Sequence, residues 1–474
     1  MSRQSVIRAL QIYYDDGRFL ADLRRRVAIP TESQNPARRA ELYRYLEDEI
    51  APALRALNYA VTIYDNPDPA GGPFLIGRRI EDPDALTVLS YGHGDVVRGL
   101  DKDWRSGLSP WTITLDGDRI YGRGVVDNKG QHTINIAALA EVIAARGRLG
   151  FNSIFFVEMS EEVGSHGIHA FARAQRGELA ADLLIGSDGP RVTIERPTIY
   201  LGSRGAMNLE LTLNLREGGH HSGNWGGLLA NPGIILAHAI ASIVSKTGEI
   251  LVPELRPKQL PSSIRKALED ITIDGGADGP AIDSWWGEPG LSAAEKVFGW
   301  STFEVLAYVT GNPDDAVNAV PPWASAHCQI RFTVDNDPAG FIPALRRHLD
   351  ANGFAAIQVQ EARGRVVWQA TRLDPDHPAV QWAVASIERT TGKVPALLPC
   401  VGGSMPNDVW ADMLGMPTIW VPHSYGGCSQ HAPDEHGLGS LMREGLEIMG
   451  GLFWDLAESP PDIRRPSRAN TASR

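Results

Sequence analysis

Cysteine is scarce in this 474-residue chain: Cys328, Cys400 and Cys428 are its only three, far apart and without a CxxC pair. That excludes a disulfide framework and a cysteine-built structural zinc site, and it points to a reducing compartment. Long apolar runs are missing too. No stretch reaches the roughly 18 apolar residues of a membrane-spanning helix, and the opening MSRQSVIRALQIYYDD lacks the uninterrupted apolar core of a secretory signal. The expectation is a cytoplasmic protein with no membrane partner. Basic charge is in deficit, with 45 Lys and Arg against 57 Asp and Glu and a formal charge of −12. A surface of that sign repels phosphate backbones, so no nucleic-acid partner is expected. The one basic cluster, Arg24-Arg25-Arg26, falls in an apolar-periodic helix pattern and reads as a solvated helix face.

Several nucleotide and nucleophile signatures are also absent. The GxG of Gly92 and Gly94 follows a strand pattern, but the third glycine of a dinucleotide fingerprint would be Val97. There is no GxSxG elbow and no GxxxxGK[ST] loop. A dehydrogenase, a serine hydrolase and a P-loop nucleotide hydrolase are thereby set aside.

What is present is an ordinary globular composition, 43% hydrophobic and 22% charged, in a chain long enough for two domains. The first 200 or so residues alternate helical patterns with short β-rich apolar runs, the habit of an open α/β sheet with buried parallel strands. Four such runs stop at polar clusters: Leu86 to Tyr91, Ile154 to Met159, Asp182 to Gly186 and Pro417 to Val421. Between about 203 and 368 the pattern becomes alternating, as in Asn208 to Leu215 and Ala326 to Thr333, which predicts half-exposed antiparallel strands. Helix patterns near Gly233 to Val244 and Phe341 to Leu349 would cover one face. The expected fold is therefore α/β: a domain of residues 1–202 and 369–474, with a mainly parallel sheet and flanking helices, interrupted by an inserted α+β domain of residues 203–368. Ser459 to Arg474, rich in Pro, Ser and Arg, reads as a frayed tail.

Chemistry-bearing residues gather where those strands end. In an open α/β sheet, ligands bind beyond the carboxyl ends of the strands. His93 stands there, and Asp95 two residues on can accept its second ring N–H and fix the tautomer that offers a lone pair to a metal. Asp127 lies in a Gly-rich loop just before an apolar helix, where one carboxylate could reach two metals; a helix N-cap is its plainer role. Glu161 and Glu162 are adjacent carboxylates that repel unless cations or a proton intervene. One of them can ligate while the other takes the proton of a metal-activated water. Asp188 follows a third buried run, and His431 sits in a late turn-rich loop. Two imidazoles and three carboxylates suit zinc, cobalt or manganese.

This set resembles the M20 family of metallopeptidases, which includes carnosinase-type dipeptidases, glutamate carboxypeptidases and N-acyl-amino-acid deacylases. The resemblance implies that His93, Asp127 and Asp188 hold one metal, and Asp127, Glu162 and His431 a second. It makes Asp127 the bridge, Glu161 the general base and Asp95 the group that orients His93. Gly219-His220-His221-Ser222-Gly223 resembles the motif by which the family's inserted dimerisation domain lends a histidine to the neighbouring subunit, so His221 would stabilise the oxyanion and a homodimer is implied. Arg331, Asn318, Gly403 and Ser404 resemble the family's recognition of a substrate carboxylate. The expected activity is hydrolysis of an amide bond in a dipeptide or short peptide with a free C-terminal carboxylate, using two divalent ions, zinc first. An N-acyl-amino-acid deacylase is the alternative, and a noncatalytic metal-binding protein a second. His132, His166, His169, His423 and His436 read as surface or packing residues.

Overall fold

The computed structural model of the protein describes residues 2–273, 280–364 and 366–463. Two sheets organise them. Their strands, in chain order, are β1 (Ala60–Tyr64), β2 (Phe74–Arg79), β3 (Thr87–His93), β4 (Asn152–Glu158), β5 (Leu183–Gly186), β6 (Thr198–Tyr200), β7 (Gly205–Asn214), β8 (Thr302–Thr310), β9 (Trp323–Phe332), β10 (Gln358–Glu361), β11 (Ala396–Leu398) and β12 (Thr418–Trp420). The larger sheet has the order β1-β2-β4-β3-β5-β12-β6-β11. Its centre, β4-β3-β5-β12, is parallel, and the hairpin-like edge β1-β2-β4 is antiparallel.

Every residue of β3, β4 and β5 is buried, because helices cover both faces and a strand so enclosed must be apolar on both. Side chains alternate between the two covers. Leu75, Phe155 and Val157 face one core, against the helices Arg3–Asp15, Lys129–Arg146 and Gly439–Glu458, while Phe74, Ile76, Ile154 and Phe156 face a second core with Trp410 and Trp420. Phe156 packs on Phe74 and Trp410 with ring centroids 5.8 and 5.0 Å away, contacts whose loss on truncation to Ala costs about 3–5 kcal/mol.

The smaller sheet, β8-β9-β7-β10, is antiparallel throughout. In β7, Leu209, Leu211 and Leu213 are buried under the helices Pro232–Ile243 and Phe341–Ala351, and the intervening Asn208, Glu210 and Thr212 face away from that core. This is the half-covered sheet that alternating patterning predicts. One stretch within 203–368 behaves differently. The helices Ser262–Leu268 and Ala293–Phe298 place Ile264, Leu268, Ala294 and Phe298 in the second core of the larger sheet, beside Leu398 and Tyr200. The helical periodicity of those segments shows that they bury a face, but carries no information about which sheet receives it.

Two smaller expectations need amending. Arg24 and Arg25 are exposed, but Arg26 is buried and its guanidinium donates to Thr133, so the basic cluster is only partly a solvated face. Of the tail, Ser459 accepts a 2.8 Å hydrogen bond from the Trp382 indole and Ile463 packs on the first core, while residues 464–474 lie outside those described. Cys328, Cys400 and Cys428 are free and buried. Among the described residues, no helix is long and apolar enough to cross a membrane.

Candidate metal centre

Three neighbouring strands of the larger sheet end at one point. β3 finishes on His93, β4 leads through Met159 and Ser160 into a single 3-10 turn, Glu161–Val163, and β5 leads into Asp188. Asp127 comes from the loop that enters the helix Lys129–Arg146, and His431 from the loop after β12. His93 and Asp95 are fully enclosed, Asp127 and Asp188 are buried, and His431 stands exposed at the rim.

The ligand-type atoms converge as two sets that share one carboxylate. His93, Asp127 and Asp188 form one set and Asp127, Glu162 and His431 the other, each with its ligand atoms within 4.8 Å of one another. Asp127 divides its oxygens between them: Oδ1 lies 2.9 Å from His93 Nε2, and Oδ2 lies 2.8 Å from His431 Nε2. Glu162 Oε2 is 3.1 Å from that same His431 nitrogen, and Asp188 Oδ2 is 3.8 Å from His93 Nε2.

His93 Nε2 supplies a test of whether a cation fits. It is buried and, despite its approach to Asp127, has no partner in hydrogen-bond alignment. An orphaned imidazole nitrogen surrounded by carboxylate oxygens is costly without a cation, and one imidazole with two carboxylates on each side is a donor set that zinc-like ions accept. The residues present fit a pair of divalent ions.

Proton affinities express the same crowding. Burial opposes charge on His93, but the Asp127 and Asp95 carboxylates outweigh it and raise the pKa well above the ordinary imidazole value. Burial, reinforced by Asp127, pushes Glu162 up to about 8, and burial lifts Asp188 to about 6. Glu161 is raised well above the usual carboxylate range by burial and by repulsion from Glu162, Asp188 and Asp127. Hydrogen bonding to Asp127 and Glu162 lifts His431 to about 11. Carboxylates crowded in this way repel one another, and a cation between them would relieve that repulsion.

Asp95 differs in detail from the expected role. His93 Nδ1 lies 3.1 Å from the backbone carbonyl of Asp95 and 3.5 Å from its carboxylate. The carboxylate instead accepts the backbone N–H groups of Glu161 and Glu162, each at 3.1 Å. Asp95 thus ties the end of β3 to the turn that carries the paired glutamates.

A cavity of about 900 Å3 opens onto the cluster, and Arg331, Gly403 and Ser404 line it together with Asp127, Glu161, Glu162, Asp188 and His431. His221 and Asn318 lie elsewhere. His221 is exposed and pairs with Ala319, and the Asn318 carbonyl accepts the Ser222 N–H at 2.8 Å, in a two-stranded ribbon apart from that cavity. His132 and His423 are buried packing residues; His132 Nε2 meets the Tyr45 hydroxyl at 2.5 Å and His423 Nε2 meets Ser187 Oγ at 3.2 Å.

Sequence reasoning passed over two residues of the same late loop. Gln430 donates to Asp127 Oδ2 at 2.6 Å. Glu435 is buried, ion-paired to Arg123 at 2.6 Å, and accepts the N–H groups of Gly124 and Val126 at 2.9 and 3.3 Å. It therefore anchors the loop that presents Asp127. A charged residue seven positions after a cysteine and between Asp434 and His436 gives no hint of a partner some 300 residues away; only the density of polar residues in that block was a signal.

The family model described as Peptidase family M20/M25/M40 matches residues 89–454. The Beta-Ala-His dipeptidase of Mus musculus is 28% identical over 338 residues, 66% of this chain and 66% of its own length. Against its rat and human counterparts the chain spans 57% and 52% of the relative's length. The Cysteinylglycine-S-conjugate dipeptidase of Corynebacterium striatum is 25% identical over 369 residues, covering 75% of this chain and 77% of the relative. The solved structure of the di-peptidase Dug1p from Saccharomyces cerevisiae superposes with a TM-score of 0.79 at 21% identity, covering 97% of this chain and 99% of that one, which shows the shared fold.

Proposed function

Because the chain belongs to peptidase family M20/M25/M40, we propose that it is a metal-dependent dipeptidase, cleaving the amide bond of a dipeptide or short peptide that carries a free C-terminal carboxylate. Asp127 carries this reading: its two oxygens serve two ligand sets, with Glu161 alongside and a substrate-sized cavity above. The relatives' printed names, Beta-Ala-His and cysteinylglycine-S-conjugate dipeptidase, favour short peptides over N-acyl amino acids.

His93, Asp127 and Asp188 would hold one divalent ion, and Asp127, Glu162 and His431 the other; zinc suits the donors best, with cobalt or manganese as substitutes. Such a pair polarises the scissile carbonyl and lowers the pKa of the attacking water. The chain supplies the proton traffic. The Glu161 carboxylate takes the water's proton and passes it to the leaving amine nitrogen, and burial with the neighbouring carboxylates raises its proton affinity above that of an ordinary carboxylate. Asp95 fixes the turn on which Glu161 rides. Arg331, held by Ser404 and flanked by Gly403, binds the substrate carboxylate.

The insertion of residues 203–368 would act as lid and dimerisation domain on a catalytic domain of residues 1–202 and 369–474. Edge strand β8 exposes Val305, Leu306 and Tyr308 beside Ile234, which is 60% exposed; an unpaired apolar edge of this kind seeks a partner strand, and a second copy is the partner proposed. His221 and Asn318 would then serve the neighbouring copy's site, His221 donating to the oxyanion at a gain of about 3 kcal/mol.

The test is metal content by elemental analysis together with ninhydrin-detected cleavage of a panel of dipeptides and N-acyl amino acids, for the wild type and Glu161→Ala. Two metals per chain, with dipeptide cleavage that vanishes in a Glu161→Ala protein still loaded with metal, supports the proposal. Cleavage of N-acyl amino acids alone replaces it with a deacylase, and a fully reconstituted protein that cleaves nothing overturns it.

A further inference from the structure

Arg331 has no carboxylate partner among the described residues, although it is partly buried and burial lowers its pKa. Its guanidinium is held by two neutral acceptors. Nε donates to Gln329 Oε1 at 3.0 Å and Nη1 donates to Ser404 Oγ at 2.9 Å. Nη2 has no acceptor among the described residues. A desolvated cation held only by neutral groups keeps its attraction for an anion.

Each holder is itself held. Ser404 Oγ donates its proton to the Arg204 carbonyl at 2.7 Å, so only lone pairs remain to meet Arg331. Gln329 stands two residues before Arg331 on β9, hence on the same sheet face, directly across from Asn208 on β7. Its amide nitrogen donates to Asn208 Oδ1 at 3.1 Å. That bond sets the amide's sense: a flip would turn NH2 toward the guanidinium and break both contacts. Asn208, Gln329, Arg331 and Ser404 all line the cavity that reaches the metal cluster.

We propose that Gln329 is a positioning residue for substrate-carboxylate recognition: oriented by Asn208, its side-chain oxygen clamps Arg331 Nε and leaves Nη2 and the outer side of Nη1 for the ligand, while its neutrality leaves the guanidinium charge uncompensated. This rests on the reading of Arg331 as the carboxylate-binding residue. Clamping removes rotamer freedom before the substrate arrives, so less is lost on binding. Neutrality matters separately, because a glutamate of the same shape would pair with Arg331 and compete with the ligand.

The experiment compares kcat/KM for Cys-Gly with that for its C-terminal amide, in metal-loaded wild type, Gln329→Glu, Gln329→Leu, Arg331→Met and the double variant Gln329→Leu/Arg331→Met. The ratio of acid to amide should fall by about tenfold or more in Gln329→Glu, the size of a lost charge-assisted hydrogen bond, mainly through KM rather than kcat. It should fall to a smaller extent in Gln329→Leu, and Gln329→Leu should add no further loss to Arg331→Met. Because glutamate is isosteric with glutamine, a purely structural role would leave the ratio in Gln329→Glu unchanged, and that result overturns the proposal even if Arg331→Met lowers the ratio. An unchanged ratio in Arg331→Met removes the reading on which the proposal stands.

Discussion

Glu161 and Glu162 are neighbours in sequence with different surroundings, and that difference is what chemistry at this site would use. Glu162 meets His431, whereas Glu161 has no ion pair among the described residues and is crowded by three carboxylates. Glu161→Gln should therefore keep both metals and lose about 10^2–10^4 in kcat, the usual worth of a positioned base, as read by elemental analysis beside steady-state kinetics. The same crowding fixes a pH dependence. Glu162 is raised from 4.5 to about 8 and Asp188 from 3.8 to about 6 in the metal-free fold. The folded state then binds more protons than the unfolded one, so these groups favour the metal-free fold at low pH and that contribution is lost as pH climbs from about 4 to about 8. Metal must displace those protons and the one on His431, so its affinity rises over the same interval. The gap in Tm between metal-loaded and metal-free protein should widen from pH 5.5 to pH 8; a gap that narrows contradicts the charge assignment. The ligand-type residues were legible in the sequence because carboxylates and imidazoles at the ends of apolar strands are conspicuous. Asp95 was half legible: its closeness to His93 follows from spacing, but its hold on the Glu161 turn depends on β3 and β4 lying side by side.

At the scale of elements, the loop that presents Asp127 depends on a distant carboxylate. Glu435 neutralises the fully buried Arg123 and receives two loop N–H groups. Glu435→Ala would leave that guanidinium buried and unpaired, at a cost of about 3–5 kcal/mol, and should weaken metal binding about 10–100-fold by releasing the loop; thermal unfolding and a competitive metal titration read the two effects. Unchanged metal affinity in the variant would mean that the loop is set by other contacts. The strands that position the site were visible as β-rich apolar runs, and β7 and β9 as alternating ones. What periodicity could not convey is allegiance: the helices Ser262–Leu268 and Ala293–Phe298 bury their apolar faces on the larger sheet despite lying between strands of the smaller one. The hydrogen-bonded run from Asn208 through Gln329 to Arg331 was equally invisible, since neutral amides carry no sequence signal until strand register places them opposite each other.

Over the whole molecule, His221 lies on a ribbon whose residues do not line the cavity, so the catalytic role proposed for it requires a second copy of the chain. If His221 serves a second copy, mixing two inactive proteins, Glu161→Ala and His221→Ala, should restore activity after subunit exchange, because one of the two mixed sites then has both an intact base and an intact histidine. If the proposed dimer forms through the exposed edge of β8, Leu306→Asp should shift the protein to monomer in sedimentation velocity and depress kcat with it; a fully active monomer would return His221 to a surface role. The most direct test of the account as a whole is a metal titration of stripped protein, following bound metal and Cys-Gly cleavage together in the wild type and in Asp127→Ala. The shared-carboxylate geometry predicts two metals per chain, activity that depends on both, and loss of tight binding at both positions when Asp127 is removed. Full cleavage with one metal, or two metals retained by Asp127→Ala, would contradict it.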